Sequence, residues 1–345
     1  MDNREKRIVE YIQKSGESSS KEIFDNMALD VSYATLKRLL TKLISDSILS
    51  SQGRGKSTKY CISGDFEMIQ PIDIESYFGR EIDEREIRAG FNFSIIKSIL
   101  AKHSVFTNSE IVKLNGLQKK FQENISQLTG NAYVREFERL AIDLSWKSSQ
   151  IEGNTYSLLE TERLLKNKET ASGKSREEAT MLLNHKEALD FLLDNPDYLT
   201  PLSVSSIEDI HSILVKDLGV ERNLRGSRVG ISGTNYRPLD NRFQIVEALQ
   251  DTCDVINSKE DVFEKSLLAL VLISYIHPFI DGNKRTSRIV SNAILIHHHY
   301  CPISFRTVDS IEYKKAMLLF YEQNNISNFK KIFIDQFEFA VNTYF

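Results

Sequence analysis

The sequence predicts a mainly α-helical protein with a little β-structure, and three observations carry that expectation. Gly and Pro number only 15 and 6 among 345 residues, about half their usual share, which favours long helices over a sandwich or barrel. From Phe91 almost to the end, apolar residues recur at helical spacing, interrupted mainly at Gly219 to Leu239 and at Gly282-Asn283. At 41% hydrophobic and 27% charged, the chain can bury a core, and its length suggests about two domains.

The net charge of -4 gives the whole chain no pull toward nucleic acid, so any such surface must be local. Cys61, Cys253 and Cys301 are far apart and odd in number, with no CxxC, which suggests neither a disulfide framework nor a zinc site. The N-terminus MDNREKRIVE lacks the apolar stretch of a secretory signal. The longest uncharged run, Ser266 to Ile280, carries His277-Pro278 and falls short of the roughly 18 residues of a membrane span. The expectation is a cytoplasmic protein without a membrane partner, in which that run is a buried helix.

The first 64 residues form a pattern of their own. Arg4 to Lys14, Ser20 to Met27 and Ser32 to Ser45 read as short helices, the third with Leu36, Leu39, Leu40 and Leu43 on one stripe. Ile48-Leu49 and Tyr60-Cys61-Ile62 flank the polar loop SSQGRGKSTK and read as a hairpin. Gly55-Lys56-Ser57 looks like the end of a phosphate loop, but that loop needs a glycine where Ser50 stands. Three helices and a basic hairpin resemble the winged helix-turn-helix family. That resemblance places Lys37, Arg38 and Lys42 on the recognition helix and Arg54, Lys56 and Lys59 on the wing. DNA contact is one expectation; the small positive balance of this segment suits a protein-interaction module equally well.

Residues 65–130 are expected to be a linker and helical extension, and 131–345 a second domain. Tyr133 to Ile151 reads as a helix ending in Ser148-Ser149-Gln150-Ile151-Glu152-Gly153-Asn154. Ser148 and Glu152 share a face at i, i+4. A glutamate at a helix C-terminus opposes the dipole and gains from a cationic partner elsewhere. In Gly219 to Leu239, Val229-Gly230-Ile231 reads as a short strand and Ser232-Gly233-Thr234-Asn235 as a turn.

The most informative stretch is His277-Pro278-Phe279-Ile280-Asp281-Gly282-Asn283-Lys284-Arg285-Thr286-Ser287-Arg288. Pro278 ends one helix, and another starts at about Lys284. Gly282-Asn283 and the free amides of that helix form an anion nest suited to phosphates. Arg285 and Arg288, three residues apart, can clamp a polyphosphate. Asp281 offers the hard oxygen that a phosphate-bound Mg²⁺ takes, and His277 a base titrating near neutrality.

These residues resemble the Fic signature H-x-F-x-[D/E]-G-N-x-R-x-x-R at every defining position. The resemblance covers about the last two-thirds of the chain. It implies transfer of AMP from Mg²⁺-bound ATP to a Ser, Thr or Tyr hydroxyl of a target protein. In that frame His277 deprotonates the hydroxyl and Phe279 anchors the loop. Asp281 holds Mg²⁺, Gly282 and Asn283 form the anion hole, and Arg285 and Arg288 bind the outer phosphates. Lys284 stands where AMP-transferring members usually have Gly. The Doc branch has Lys there and transfers phosphate, although that branch typically lacks the glycine and final arginine kept here as Gly282 and Arg288.

The resemblance also extends upstream. Ser148, Glu152 and Gly153 match the family's inhibitory motif [S/T]-x-x-x-E-[G/N], which makes 133–153 an inhibitory helix within the same chain. It implies a β-hairpin flap within Gly219 to Leu239, with Val229, Gly230, Ile231 and Ser232 along the nucleotide pocket and the target registered by strand addition. Tyr313 resembles an aromatic found near the adenine. A homodimer and DNA are further partners it allows, and a DNA-binding regulator whose Fic fold senses nucleotide is the rival outside enzymes. His297-His298-His299 with Cys301 is no metal site, because neighbouring helical residues point about 100° apart.

Overall fold

Asp2 opens the chain's first helix by accepting hydrogen bonds from Arg4 and Glu5 amides, with the Glu5 side chain returning to Asp2 N. In this computed structural model the described residues are 2–27, 31–46, 48–88 and 90–345, without the side chains at 56, 65 and 99. The chain divides into two units, Met1–Pro71 and Ile72–Phe345.

The first unit holds α1 (Asn3–Ser15), β1 (Ser18–Ser19), α2 (Ser20–Met27), α3 (Tyr33–Ser45), β2 (Leu49–Gln52), β3 (Lys59–Ile62) and α4 (Gly64–Ile69). Its three strands form an antiparallel sheet in the order β1-β3-β2, with Leu49 opposite Ile62 and Ser18 opposite Tyr60. Ser32 caps α3. The apolar stripe then buries Leu36, Leu40 and Leu43 against Ile8, Ile12, Ile23 and Leu49.

The second unit is helical: α5 (Ile74–Phe78), α6 (Asn108–Ser126), α7 (Gly130–Ile151), α8 (Leu158–Asn167), α9 (Arg176–Asp194), α10 (Val204–Leu214), α11 (Arg242–Ser258), α12 (Val262–Ile276), α13 (Asn283–His297), α14 (Ser310–Gln323) and α15 (Ser327–Thr343). Ser157 and Ser175 start α8 and α9 as capping boxes with Glu160 and Glu178, satisfying amides that helix geometry orphans. From Ser266 to Ile276 every residue of α12 is buried, as its apolar surface on all sides demands. This helix packs along α13 at the centre of the unit. No helix among the described residues is long and apolar enough to cross a membrane.

Within the stretch expected to be a linker and helical extension, Arg85 reaches the buried Glu322 of α14 at 3.0 Å and the Tyr77 hydroxyl donates to the same carboxylate at 2.7 Å. A buried carboxylate requires such partners. One expectation needs correction: Val229-Gly230-Ile231, read as a short strand, forms no strand among the described residues, although Ser232-Gly233 does turn. The only bridge nearby among the described residues joins Arg237 to Gly90, so no hairpin ladder forms there.

Candidate active site

The site is built where α12 stops. His277 caps it in the left-handed region, φ 54 and ψ 57, and Pro278 prevents continuation. Phe279 is fully buried and stacks on the His211 ring of α10, centroids 3.6 Å apart and planes 2° apart. The His211 ring nitrogens lie 2.9 Å from the Asp281 carbonyl and 3.1 Å from the Arg222 carbonyl. Gly282 turns the chain at φ 82, where a Cβ would meet Val215 at 3.2 Å and His211 at 3.3 Å; only glycine suits that position. The Asn283 side chain braces the loop, accepting from Phe279 N at 2.8 Å and donating to Phe279 O at 2.9 Å. No side chain caps the N-terminus of α13.

Two arginines lie one turn inside α13, both almost fully buried. Arg285 Nη2 bonds Asp281 Oδ2 at 3.1 Å, while its Nε and Nη1 have no partner. Arg288 donates through Nε to Ser148 Oγ at 2.9 Å and through Nη2 to Ser148 O at 3.0 Å. Nη2 also reaches Glu152 Oε1 at 2.8 Å, and Nη1 has no partner. The other Glu152 oxygen, Oε2, lies 3.4 Å from Lys284 Nζ. Burial pushes the Glu152 carboxyl up, but Arg288, Lys284 and Arg285 overcome this and hold it at about 2. Burial, helped by the Lys284 and Arg225 charges, lowers the His277 imidazole to about 4.

A cleft of about 330 Å³ is lined by His277, Asp281, Lys284, Glu152, Gly230, Ile231 and Ser232, at the lower end of small-molecule sites. Val229 lies outside this lining, and so does Tyr313, whose buried ring sits under the Arg288 guanidinium at 5.2 Å. From α14 the cleft is faced by Lys314, Met317, Leu318 and Tyr321. Their i, i+3, i+4, i+7 spacing was available in the sequence as a signal. Gly153 is left-handed at φ 103 and ends the α7 segment bearing Glu152. Arg225 and His211 were not legible, since nothing local distinguishes them from surface residues.

In the first unit Lys42 is tied to buried Glu5 at 2.5 Å. Lys37 donates to the Tyr60 hydroxyl at 3.2 Å and lies over its ring. Arg38, Arg54 and Lys59 are exposed. The Lys56 side chain lies outside the described residues.

Residues 201–295 match the Fic/DOC family. The chain is similar to a protein adenylyltransferase Fic of Nematostella vectensis, 31% identical over 176 residues that make up 49% of this chain and 40% of that one. Similarity to the protein adenylyltransferase fic-1 of Caenorhabditis elegans is 29% over 175 residues, 48% of this chain and 34% of that one. The matches thus span less than half the length of these relatives. Among solved structures, residues 134–508 of Fic-1 from C. elegans superpose with a TM-score of 0.59 at 21% identity, covering 68% of this chain and 72% of that one. A Fic domain containing signaling protein from Bacteroides thetaiotaomicron superposes at 0.58 and 20% identity, over 67% of this chain and 95% of that one. The motif folded around an uncapped helix start and two buried arginines lies within or beside the stretch, residues 201–295, that is similar to the Fic/DOC family.

Proposed function

We propose that this chain transfers AMP from ATP to a hydroxyl side chain of a target protein, and that Glu152 holds the activity low. The observation that carries the reading is the set of buried guanidinium nitrogens without partners, Arg285 Nε and Nη1 and Arg288 Nη1, beside the uncapped start of α13. Orphaned cationic donors at a helix N-terminus suit a polyphosphate. A neutral His277 imidazole takes the proton of the target hydroxyl, whose oxygen attacks the α-phosphorus. The bond from that phosphorus to the bridging oxygen of the β-phosphate breaks, and pyrophosphate leaves with the electron pair. The arginines and the α13 amides hold the phosphates in line.

Asp281 fits a magnesium ligand: its side chain is 64% exposed on the cleft, and only Oδ2 is engaged by Arg285. A single carboxylate suffices for an ion whose other ligands are phosphates and water. Bound there, Mg²⁺ would neutralise phosphate charge. The order of helices and the three-stranded sheet of the first unit support reading it as a winged helix, with the exposed Arg38, Arg54 and Lys59 offered to DNA. A homodimer and a cytoplasmic setting complete the proposal.

The test is incubation with ATP labelled at the α- or the γ-phosphate. Covalent α-label supports AMP transfer. Covalent γ-label replaces it by the Doc-like phosphoryl transfer that Lys284 suggests. No label from either, in a Glu152→Gly variant, leaves the nucleotide-sensing regulator.

A further inference from the structure

The reactive turn is held by a residue outside the motif. His277 sits in the left-handed region, which is strained for a residue with a Cβ and persists only where the surroundings over-determine it. Arg225 takes both carbonyls of that turn. Its backbone N–H donates to Pro278 O at 3.0 Å, and its side-chain Nε donates to His277 O at 2.6 Å. Nη1 donates to Ser227 O at 2.8 Å, which fixes the guanidinium plane from the other side. The residue is 1% exposed, and Nη2 is buried without a partner. A buried arginine that bonds only carbonyls, with no carboxylate, is a costly way to stabilise a fold. Stability alone would favour an apolar side chain or an ion pair at this position.

Resting on the adenylyl-transfer reading, we propose that Arg225 is a positioning residue for the reaction. It locks the His277 turn in the geometry that presents the imidazole to the cleft, and ties that turn to the segment whose residues 230–232 line the same cleft. The two ends of this strut are Ser227 O and His277 O, so a displacement of the 226–232 segment is passed to the base through one rigid planar group. The guanidinium charge acts in the same direction as the geometry. The charged groups facing His277 are Lys284, Arg225 and Glu152; the first two favour the neutral ring that accepts a proton, and Glu152 opposes them.

The test uses the full-length chain carrying Glu152→Gly, with Arg225→Lys and Arg225→Gln added singly. Lysine keeps the charge but cannot span both carbonyls in a plane; glutamine keeps a donor and loses the charge. In both, kcat for α-label transfer falls on the order of 10- to 100-fold, while KM for ATP stays within about twofold. NMR titration of isotope-labelled histidine then separates the variants: the His277 ring titrates as in the parent with lysine, and higher with glutamine. Parental kcat in both variants, a loss confined to KM, or an unmoved His277 titration in a folded glutamine variant overturns the proposal. If glutamine prevents folding, the kcat and KM of the lysine variant decide. If the parent transfers no label, the adenylyl-transfer reading has failed, and the imidazole titration still decides whether Arg225 governs His277.

Discussion

Replacing Glu152 by glycine should raise α-label transfer by about two orders of magnitude. The carboxylate bridges two cations, Arg288 at 2.8 Å and Lys284 at 3.4 Å. Although burial raises its pKa, these cations bring it from 4.5 to about 2, and a shift of this size is worth roughly 3 kcal/mol. That is the order of the interaction a nucleotide must displace to recruit Arg288, and it corresponds to about 100-fold in rate. Because the carboxyl titrates at about 2, acidification within a cell would not release it. Under the proposed inhibition, relief would come by moving α7 or by competing for the arginine. Lys284→Gly removes only the longer of the two contacts and should activate less, while Arg288→Ala loses the clamp with its inhibitor and should not be activated. The assay is α-labelled self-modification and target modification by wild type, the three single variants and the Glu152/Arg288 double variant, each checked for folding. An unchanged or lower rate in Glu152→Gly would refute the inhibitory assignment while leaving the nucleotide site in place.

His277→Ala in that activated background should lose about 10²- to 10⁴-fold in transfer but retain ATP binding by calorimetry; near-parental transfer removes the base from its role. The kcat/KM for the target, which reports the free enzyme, should lose its acid limb near pH 4 rather than 6.5, and a midpoint near 6.5 would show an unperturbed ring. Since the folded His277 binds its proton less readily than the unfolded chain, the same shift stabilises the fold above pH 6.5 and is lost as pH falls from 6.5 through about 4; denaturant midpoints across that window, compared between wild type and His277→Ala, check the sign. Removing Met1–Pro71 should leave nucleotide chemistry intact, because every residue proposed to touch ATP lies in Ile72–Phe345. A folded but inactive remainder, even with Glu152→Gly, would make the first unit part of the catalytic machinery.

Local pattern alone marked α1, α2, α3, α7, α12 and α13, Ser32 as a cap, the break at His277-Pro278, and the twelve residues around which the site is built. These features are written in short-range spacing: stripes at 3.6 residues, a glycine where the backbone must turn left-handed, a proline where a helix must stop. The need of Glu152 for a distant cation was legible as well, since a carboxylate at a helix C-terminus opposes the dipole. Its two partners, Arg288 and Lys284, were decided by how α7 meets α13. Tertiary structure also set Tyr313 beneath Arg288, docked Arg85 on Glu322, left Val229 to Ile231 without a ladder, and set Arg225 across the His277 turn. Each of these depends on a partner tens to hundreds of residues away. Hydrophobic periodicity specifies which face of an element is buried, but a buried polar group is satisfied by whichever donor or acceptor the assembled helices bring within about 3 Å.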